Sequence, residues 1–350
     1  MSLDPYTLRV LGLPGGGTRG YMQNYAMQMF CQQSGIEGVD LYKYFDVIAG
    51  TSVGGIAALS YAFGNSPDFN YNFYIEDAPW VFTTRTAADK LSGSINASLP
   101  SNRPTVPEKV IILGQNDQLY SSVNENSNYG GARLKKVIEN TFGDATMQDL
   151  KTNVIITAKE VETNTYRLFS NMDLPGLIGQ NDLISNVALA TSAAHFYLPP
   201  HSFNGLTYQD GGVFQNNPTR LGLSFAKQLK PNANRFCVFT AGTGVKPDLG
   251  FQGSDGVPFP YEQTVKTLIA AFEDALYGSA EAVHTALYSE SQYSASNLFY
   301  AMTRPFLDAA QNTELDNSGI DYIEYQTNLI QEWYLANSPE VSNFIGHFFA

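Results

Sequence analysis

The sequence predicts an α/β layered fold organised around a mostly parallel sheet. Two observations carry that prediction. Short apolar segments rich in β-branched residues alternate with stretches of helical periodicity. The first two of these segments, Thr7–Leu13 and 45–49, each run into a glycine-rich turn that opens a helix, which is the repeating unit of a parallel sheet.

The elements follow in order. Thr7–Leu13 (TLRVLGL) reads as a strand, and Pro14 leads into the run Gly15-Gly16-Gly17-Thr18-Arg19-Gly20. Over 21–33, Met22, Tyr25, Ala26, Met29 and Phe30 recur at helical spacing, and Ser34-Gly35 ends the helix. Residues 45–49 (FDVIA) form a second buried strand, and 54–63 a buried helix. Residues 64–128 read as a loop-rich cap insertion, rich in Ser, Asn and Pro at 92–107 and 121–129, with one candidate strand at 110–113. A helix over 132–142, strands at 153–158 and 166–169 and a helix over 182–190 come next. Asp210 follows a turn and opens Gly211-Gly212, and a strand at 235–240 runs into Gly242-Thr243-Gly244. From 261 onward the pattern is mainly helical and rich in aromatics. The expected division is a principal domain over 1–250, carrying the insertion, and a helical extension over 251–350 packed on it.

Composition excludes several classes. A chain of 350 residues buries a sizeable core without a disulfide or metal staple. The net charge of −13 and pI near 4.7 exclude nucleic acid as a partner, because phosphate binding needs a basic footprint. The same charge opposes a strongly anionic membrane overall while leaving room for a local lipid-binding patch. Cys31 and Cys237 are far apart, fit no metal or redox spacing, and read as buried thiols. His195, His201, His284 and His347 are scattered without paired spacing, so no metal site is expected. No signal-peptide pattern opens the chain and no apolar run reaches about 18 residues. The expected location is cytoplasmic or peripheral to a membrane, with export by a route other than a classical signal peptide left open.

The strongest local signal is Gly50-Thr51-Ser52-Val53-Gly54, a G-x-S-x-G elbow between a predicted strand and a predicted helix. A sharp strand-to-helix turn forces strained backbone angles, so Gly50 and Gly54 supply minimal flanks while the Ser52 hydroxyl is held out at the sheet's carboxyl end. The bland alternative is a serine that merely caps the helix. The glycine run at 15–20 lets backbone N–H groups converge before a helix, an anion cradle for a nucleotide phosphate or for an oxyanion. Gly15, Gly17 and Gly20 also satisfy G-x-G-x-x-G, so a dinucleotide-binding oxidoreductase is the competing reading. Against it, Asp40 and Asp46 precede the second strand rather than close it, and that strand ends in the serine elbow. A serine needs a base. None of the four histidines sits in a convincing motif, and Asp210 in Tyr208-Gln209-Asp210-Gly211-Gly212 is the better candidate.

Together these motifs resemble the patatin-like phospholipases. The G-G-G-x-[RK]-G loop is matched by Gly15 to Gly20, G-x-S-x-G by Gly50 to Gly54, and D-G-[GA] with a following N-N-P by Asp210 to Gly212 and Asn216-Asn217-Pro218. Softer matches are Thr191-Ser192-Ala193-Ala194 before Pro199-Pro200, and Gly242-Thr243-Gly244. The resemblance implies a three-layer α/β/α sandwich and a Ser–Asp dyad. In it Ser52 attacks, Asp210 accepts the proton, the N–H groups of Gly15, Gly16 and Gly17 hold the oxyanion, and Arg19 supports their loop. It implies a fatty acyl ester of a (phospho)lipid as substrate, met at a peripheral membrane or micelle surface, with no cofactor or metal. Two departures stand out: Pro14 where many relatives have Asp, and His195 where relatives often have Pro. A Ser52–His195 mechanism, a soluble-ester esterase or thioesterase, and a catalytically dead lipid-binding protein are the alternatives. An aspartate base predicts no fall in rate with a histidine-like ionisation near pH 6.5.

Overall fold

The structure, a computed structural model, describes residues 3–82, 131–195, 197–246, 261–293, 295, 297–308, 311 and 315–350. The insertion read from the sequence, with its strand at 110–113, lies outside them beyond residue 82. The described elements are β1 (Thr7–Leu13), α1 (Gly20–Ser34), β2 (Val47–Thr51), α2 (Val53–Phe63), α3 (Pro67–Glu76), α4 (Ala78–Val81), α5 (Gly131–Phe142), β3 (Asn153–Glu160), β4 (Thr165–Phe169), α6 (Ile184–Thr191), β5 (His201–Phe203), β6 (Leu206–Asp210), α7 (Gly212–Gln215), α8 (Thr219–Leu229), β7 (Arg235–Ala241), α9 (Tyr261–Ser291), β8 (Leu298–Thr303) and α10 (Ile320–Phe349).

Strand alternation builds the layers. In β1, Leu8 and Val10 enter one core cluster, together with Leu223 and Ala226 of α8 and Leu287 of α9. Leu11 and Leu13 point the other way, into a larger cluster with Phe30 of α1, Ala58 of α2, Val187 of α6 and Phe344 and Phe348 of α10. The sheet is thus covered on both faces, which is why its strands read as near-continuous apolar runs. The result is the predicted three-layer α/β/α arrangement.

Sheet order is β5-β6-β3-β2-β1-β7-β8, with β4 on the far side of β3. The pairings β3·β2, β2·β1, β1·β7 and β7·β8 are parallel, whereas β4 and β6 both run antiparallel to β3. The order reverses at β1, whose neighbours β2 and β7 continue the chain in opposite directions, and such switch points open a crevice at the strands' carboxyl ends.

One arrangement positions the site. Each β3 residue has two edges. β4 takes one of them over Ile156 to Glu160, so β2 and β6 share the other. On that edge β2 ends with Thr51 opposite Thr157, and β6 ends with Asp210 opposite Ala158. The ends of β2 and β6 therefore abut from opposite directions, one residue apart along β3.

Two expectations change. Asp210 closes a strand rather than following a turn: Asn204 and Gly205, with φ 51 and 78, form the hairpin tip between β5 and β6. And the region read as mainly helical also supplies β8, parallel to β7.

Arg9 of β1 is almost fully buried. Its Nε donates to the Phe348 carbonyl at 2.8 Å, its Nη1 donates to the Thr7 carbonyl at 3.2 Å, and its guanidinium lies 5.4 Å from the Phe348 ring centroid. It thereby satisfies a carbonyl in the last turn of α10 and fixes that helix end to the sheet. Arg9→Leu, which keeps bulk but removes the donors, should lower stability by about 3 kcal/mol in urea unfolding, since a buried partner of a charged donor is left bare. A change within 0.5 kcal/mol, as at ordinary surface sites, would contradict this role.

Candidate active site

Ser52 sits between β2 and α2 at φ 58 and ψ −129, backbone angles that a non-glycine residue adopts only at a cost. Gly50 and Gly54 make the turn feasible. A methyl at Gly50 would collide with the Gly54 carbonyl, and one at Gly54 with the Leu13 carbonyl. The turn is held from outside as well, because the Ser52 N–H donates to Thr191 Oγ1 at 2.9 Å. The Ser52 side chain makes no capping bond to α2, so the bland helix-cap reading fails. Its hydroxyl lies beside the Asp210 carboxylate, near enough to favour that group's charged form. Ser52 is half-buried, while Asp210 is 4% exposed.

Asp210 is held by its own turn: the Gly212 N–H donates to Oδ1 at 2.7 Å. A side chain at Gly211 would strike Thr157. Burial pushes the Asp210 carboxyl up to about 6, against the nearby Ser52 hydroxyl and the Gly212 N–H, which favour the charged form. If Asp210 is the base, an ionisation near 6 would give an acid limb in that range with no histidine involved, where the sequence reading expects none.

The histidines all have other partners. His195 lies beside Gln209, and burial and Lys159 depress its basicity. Gln209 neighbours Asp210 in β6 and so points to the opposite face of the sheet. His201 bonds Asn186 at 2.9 Å and is pushed down to about 4 by burial. His284 meets the Tyr300 hydroxyl at 3.2 Å, and His347 accepts from Arg235 and stacks on Phe299.

The glycine loop lies against the serine. A Cβ at Gly15 would sit 3.0 Å from Ser52 Cβ. The Gly15 N–H donates to the Asn216 carbonyl at 3.1 Å, and its own carbonyl accepts from Thr243 Oγ1 at 3.0 Å. The next two amides, of Gly16 and Gly17, have no acceptor among the described residues. Gly17 adopts φ 58, and the Thr18 N–H bonds the Leu315 carbonyl at 2.7 Å. The sequence proposed Gly15, Gly16 and Gly17 as one donor set; here Gly15 anchors the loop and the other two remain available to a ligand. Arg19 is buried rather than a surface cation, with its guanidinium 4.8 Å from the Tyr277 ring centroid. At the start of α2, N–H groups that have no intrahelical partner add positive potential near Ser52.

Sequence reasoning missed a set of buried threonines that tie the strand ends together. Thr157 Oγ1 donates to Thr51 Oγ1 at 2.8 Å, and Thr51 in turn donates to the Gln215 carbonyl at 2.8 Å. Thr219 and Thr240 share a bond of 2.9 Å. Thr191 and Thr243 stood in the softer family matches, and their hydroxyls now have stated tasks. Asn216 bonds the Gly15 and Leu276 carbonyls, linking the N-N-P segment to the glycine loop and α9. Among the described residues no group of three or more His, Cys, Asp and Glu side chains could hold a metal ion.

A family model described as patatin-like phospholipase matches residues 11–223. Patatin-like protein 1 of Oryza sativa subsp. indica is 29% identical over 275 residues, covering 69% of this chain and 59% of that protein. A cGAMP-activated phospholipase of Escherichia coli (strain TW11681) is 28% identical over 230 residues, covering 63% of this chain and 56% of its own. Another cGAMP-activated phospholipase, of Vibrio cholerae serotype O1, is 30% identical over 225 residues, 62% of this chain and 57% of its own. This chain thus spans somewhat more than half the length of these relatives.

The raised Asp210 ionisation carries a stability cost with a definite sign. The folded chain holds this proton more tightly than the unfolded chain, whose carboxyl ionises near 3.8, so stability falls as pH rises from about 4 through about 6. Asp210→Asn removes that penalty and should stabilise the fold at pH 7 by on the order of 3 kcal/mol, with the gain vanishing below pH ~4. Urea unfolding at pH 4 and pH 7 measures it, and a variant less stable than wild type at pH 7 would contradict the buried, raised carboxyl.

Proposed function

The chain belongs to the patatin-like phospholipase family, and on that premise we propose that it is a lipid acyl hydrolase working through a Ser52 acyl-enzyme. The observation that carries this reading is a serine on a strained elbow whose hydroxyl lies beside a buried aspartate, next to two glycine amides with no described acceptor. Ser52 Oγ attacks the ester carbonyl carbon while its proton passes to Asp210. The carbonyl oxygen, now negative, takes hydrogen bonds from the Gly16 and Gly17 N–H groups. Collapse of this intermediate breaks the bond to the leaving alcohol, which takes the proton back from Asp210. Water then attacks the acyl-serine and gives a proton to Asp210. The second collapse releases the fatty acid and returns the proton to Ser52. Every bond and proton balances with groups of this chain, substrate and water.

Each part has a physical rationale. A carboxylate ionising near 6 is a better proton acceptor at neutral pH than an ordinary aspartate, because base strength rises with pKa as long as the group stays ionised. Preorganised amides stabilise the oxyanion without reorganising at the moment of reaction. Arg19, buried behind the loop, supports it electrostatically. We assign the substrate to the fatty acyl esters of (phospho)lipids, met at a peripheral membrane or micelle surface. None of the described helices is long and apolar enough to cross a membrane.

A fluorophosphonate probe should label Ser52, and Ser52→Ala should abolish both labelling and ester hydrolysis. Asp210→Asn should lower kcat/KM by about a hundredfold to ten-thousandfold. The wild-type profile of kcat/KM should show an acid limb near pH 6 that persists in His195→Ala. A limb lost in His195→Ala, or kept in Asp210→Asn, would reassign the base. Faster turnover of dispersed short-chain esters than of micellar or vesicle phospholipid would replace the lipid assignment by a soluble-ester hydrolase.

A further inference from the structure

Helix α9 lies outside every motif read from the sequence, yet the stretch 273–280 meets the Asp210 turn, the Asn216-Asn217 segment and Arg19 of the glycine loop. Glu273 is 2% exposed: Oε1 accepts the Tyr197 hydroxyl at 2.7 Å and Oε2 accepts Lys246 Nζ at 3.0 Å. Tyr197 belongs to the connection after α6, and Lys246 follows β7. Tyr277 and Tyr322 are close enough to feel the Glu273 charge. One turn further on, the Leu276 side chain and Asp210 Oδ1 lie equally close, 3.1 Å, to the point where a Gly212 Cβ would stand. The Leu276 carbonyl accepts from Asn216 at 3.3 Å, and the Ala280 carbonyl from Asn217 at 3.4 Å. Tyr277 carries Arg19 over its ring.

A largely buried carboxylate–ammonium pair adds little stability over an apolar pair of the same size, so its presence points to geometry rather than to strength of folding. We propose that Glu273 is a positioning residue for acyl transfer: by tying the Tyr197 connection and the Lys246 loop to α9, it fixes the helix whose Leu276 walls Asp210 off from water. The proposal rests on the reading of Ser52 and Asp210 as nucleophile and base. Asp210 faces the Ser52 hydroxyl, the Gly212 N–H and, across Gly212, Leu276; burial and these two polar neighbours set its ionisation, with no contribution from a neighbouring charge. Releasing α9 admits water to that carboxylate and returns it toward ordinary acidity. The base weakens and the dyad loosens together.

The test uses the full chain, a fluorophosphonate probe and a p-nitrophenyl fatty acyl ester. Glu273→Gln keeps an acceptor for Tyr197 and loses the charge that holds Lys246. We expect kcat to fall about tenfold to a hundredfold with KM little changed, and the acid limb, in both hydrolysis and probe labelling, to move down by about one pH unit. Lys246→Gln and Tyr197→Phe each remove one of the two bonds and should shift the limb the same way by less; they carry the test if Glu273→Gln does not fold. A purely structural role would reduce the amount of folded protein and leave the limb in place. Unmoved limbs in the folded variants, with the wild type labelled at Ser52, would overturn the role of Glu273 alone. A wild type that resists labelling at Ser52 would overturn the acyl-hydrolase reading and this inference with it.

Discussion

Everything at this site depends on the shared edge of β3. That strand pairs with β2 up to Thr157 and with β6 from Ala158 onward, so two strands approach head-on and their ends abut. Ser52 is the first residue past β2, and Asp210 is the last residue of β6. Residues 158 positions apart in sequence thereby meet through backbone hydrogen bonds to one strand. The threonine pair Thr51–Thr157 locks that junction, and Gly211 turns the chain away where Thr157 leaves no room.

The junction is built at the expense of local stability. Ser52 keeps a positive φ, and Asp210 is a carboxylate nearly closed off from water. Each such feature costs on the order of 1–3 kcal/mol and persists only where its surroundings over-determine it. Those surroundings are a sheet covered on both faces, a layer of threonine hydroxyls across the strand ends, and α9 laid over the aspartate turn. Violations of local preference that cluster in one place, inside an otherwise consistent fold, are the expected mark of a reactive centre.

Much of this was legible in the sequence. The first strand, the glycine run, the serine elbow and the parallel α/β pattern depend on local composition, and local composition is what a sequence displays. The β5–β6 hairpin is legible there too. Asn204-Gly205 is a strong hairpin-turn signal, and recognising it would have placed Asp210 at a strand end. The β8 strand was hidden for a different reason. Leu298–Thr303 (LFYAMT) is a short apolar run between two long helices, and periodicity alone cannot separate a buried strand from a buried helical segment. The acidity of Asp210 was beyond sequence reach, because burial is a property of the assembled fold. The same holds for the commitment of the Gly15 amide to Asn216, which leaves Gly16 and Gly17 as the proposed oxyanion donors, and for the tie between Glu273 and two distant loops.

The central claim, that one pocket joins the Ser52–Asp210 pair to the Gly16 and Gly17 amides, is tested most directly by a crystal structure of the phosphonylated protein. The account predicts a covalent bond from Ser52 Oγ to phosphorus, with the phosphoryl oxygen within hydrogen-bond distance of the Gly16 and Gly17 N–H groups and the Gly15 N–H still bonded to Asn216. A phosphoryl oxygen turned away from that loop, or an adduct on any other side chain, would contradict it.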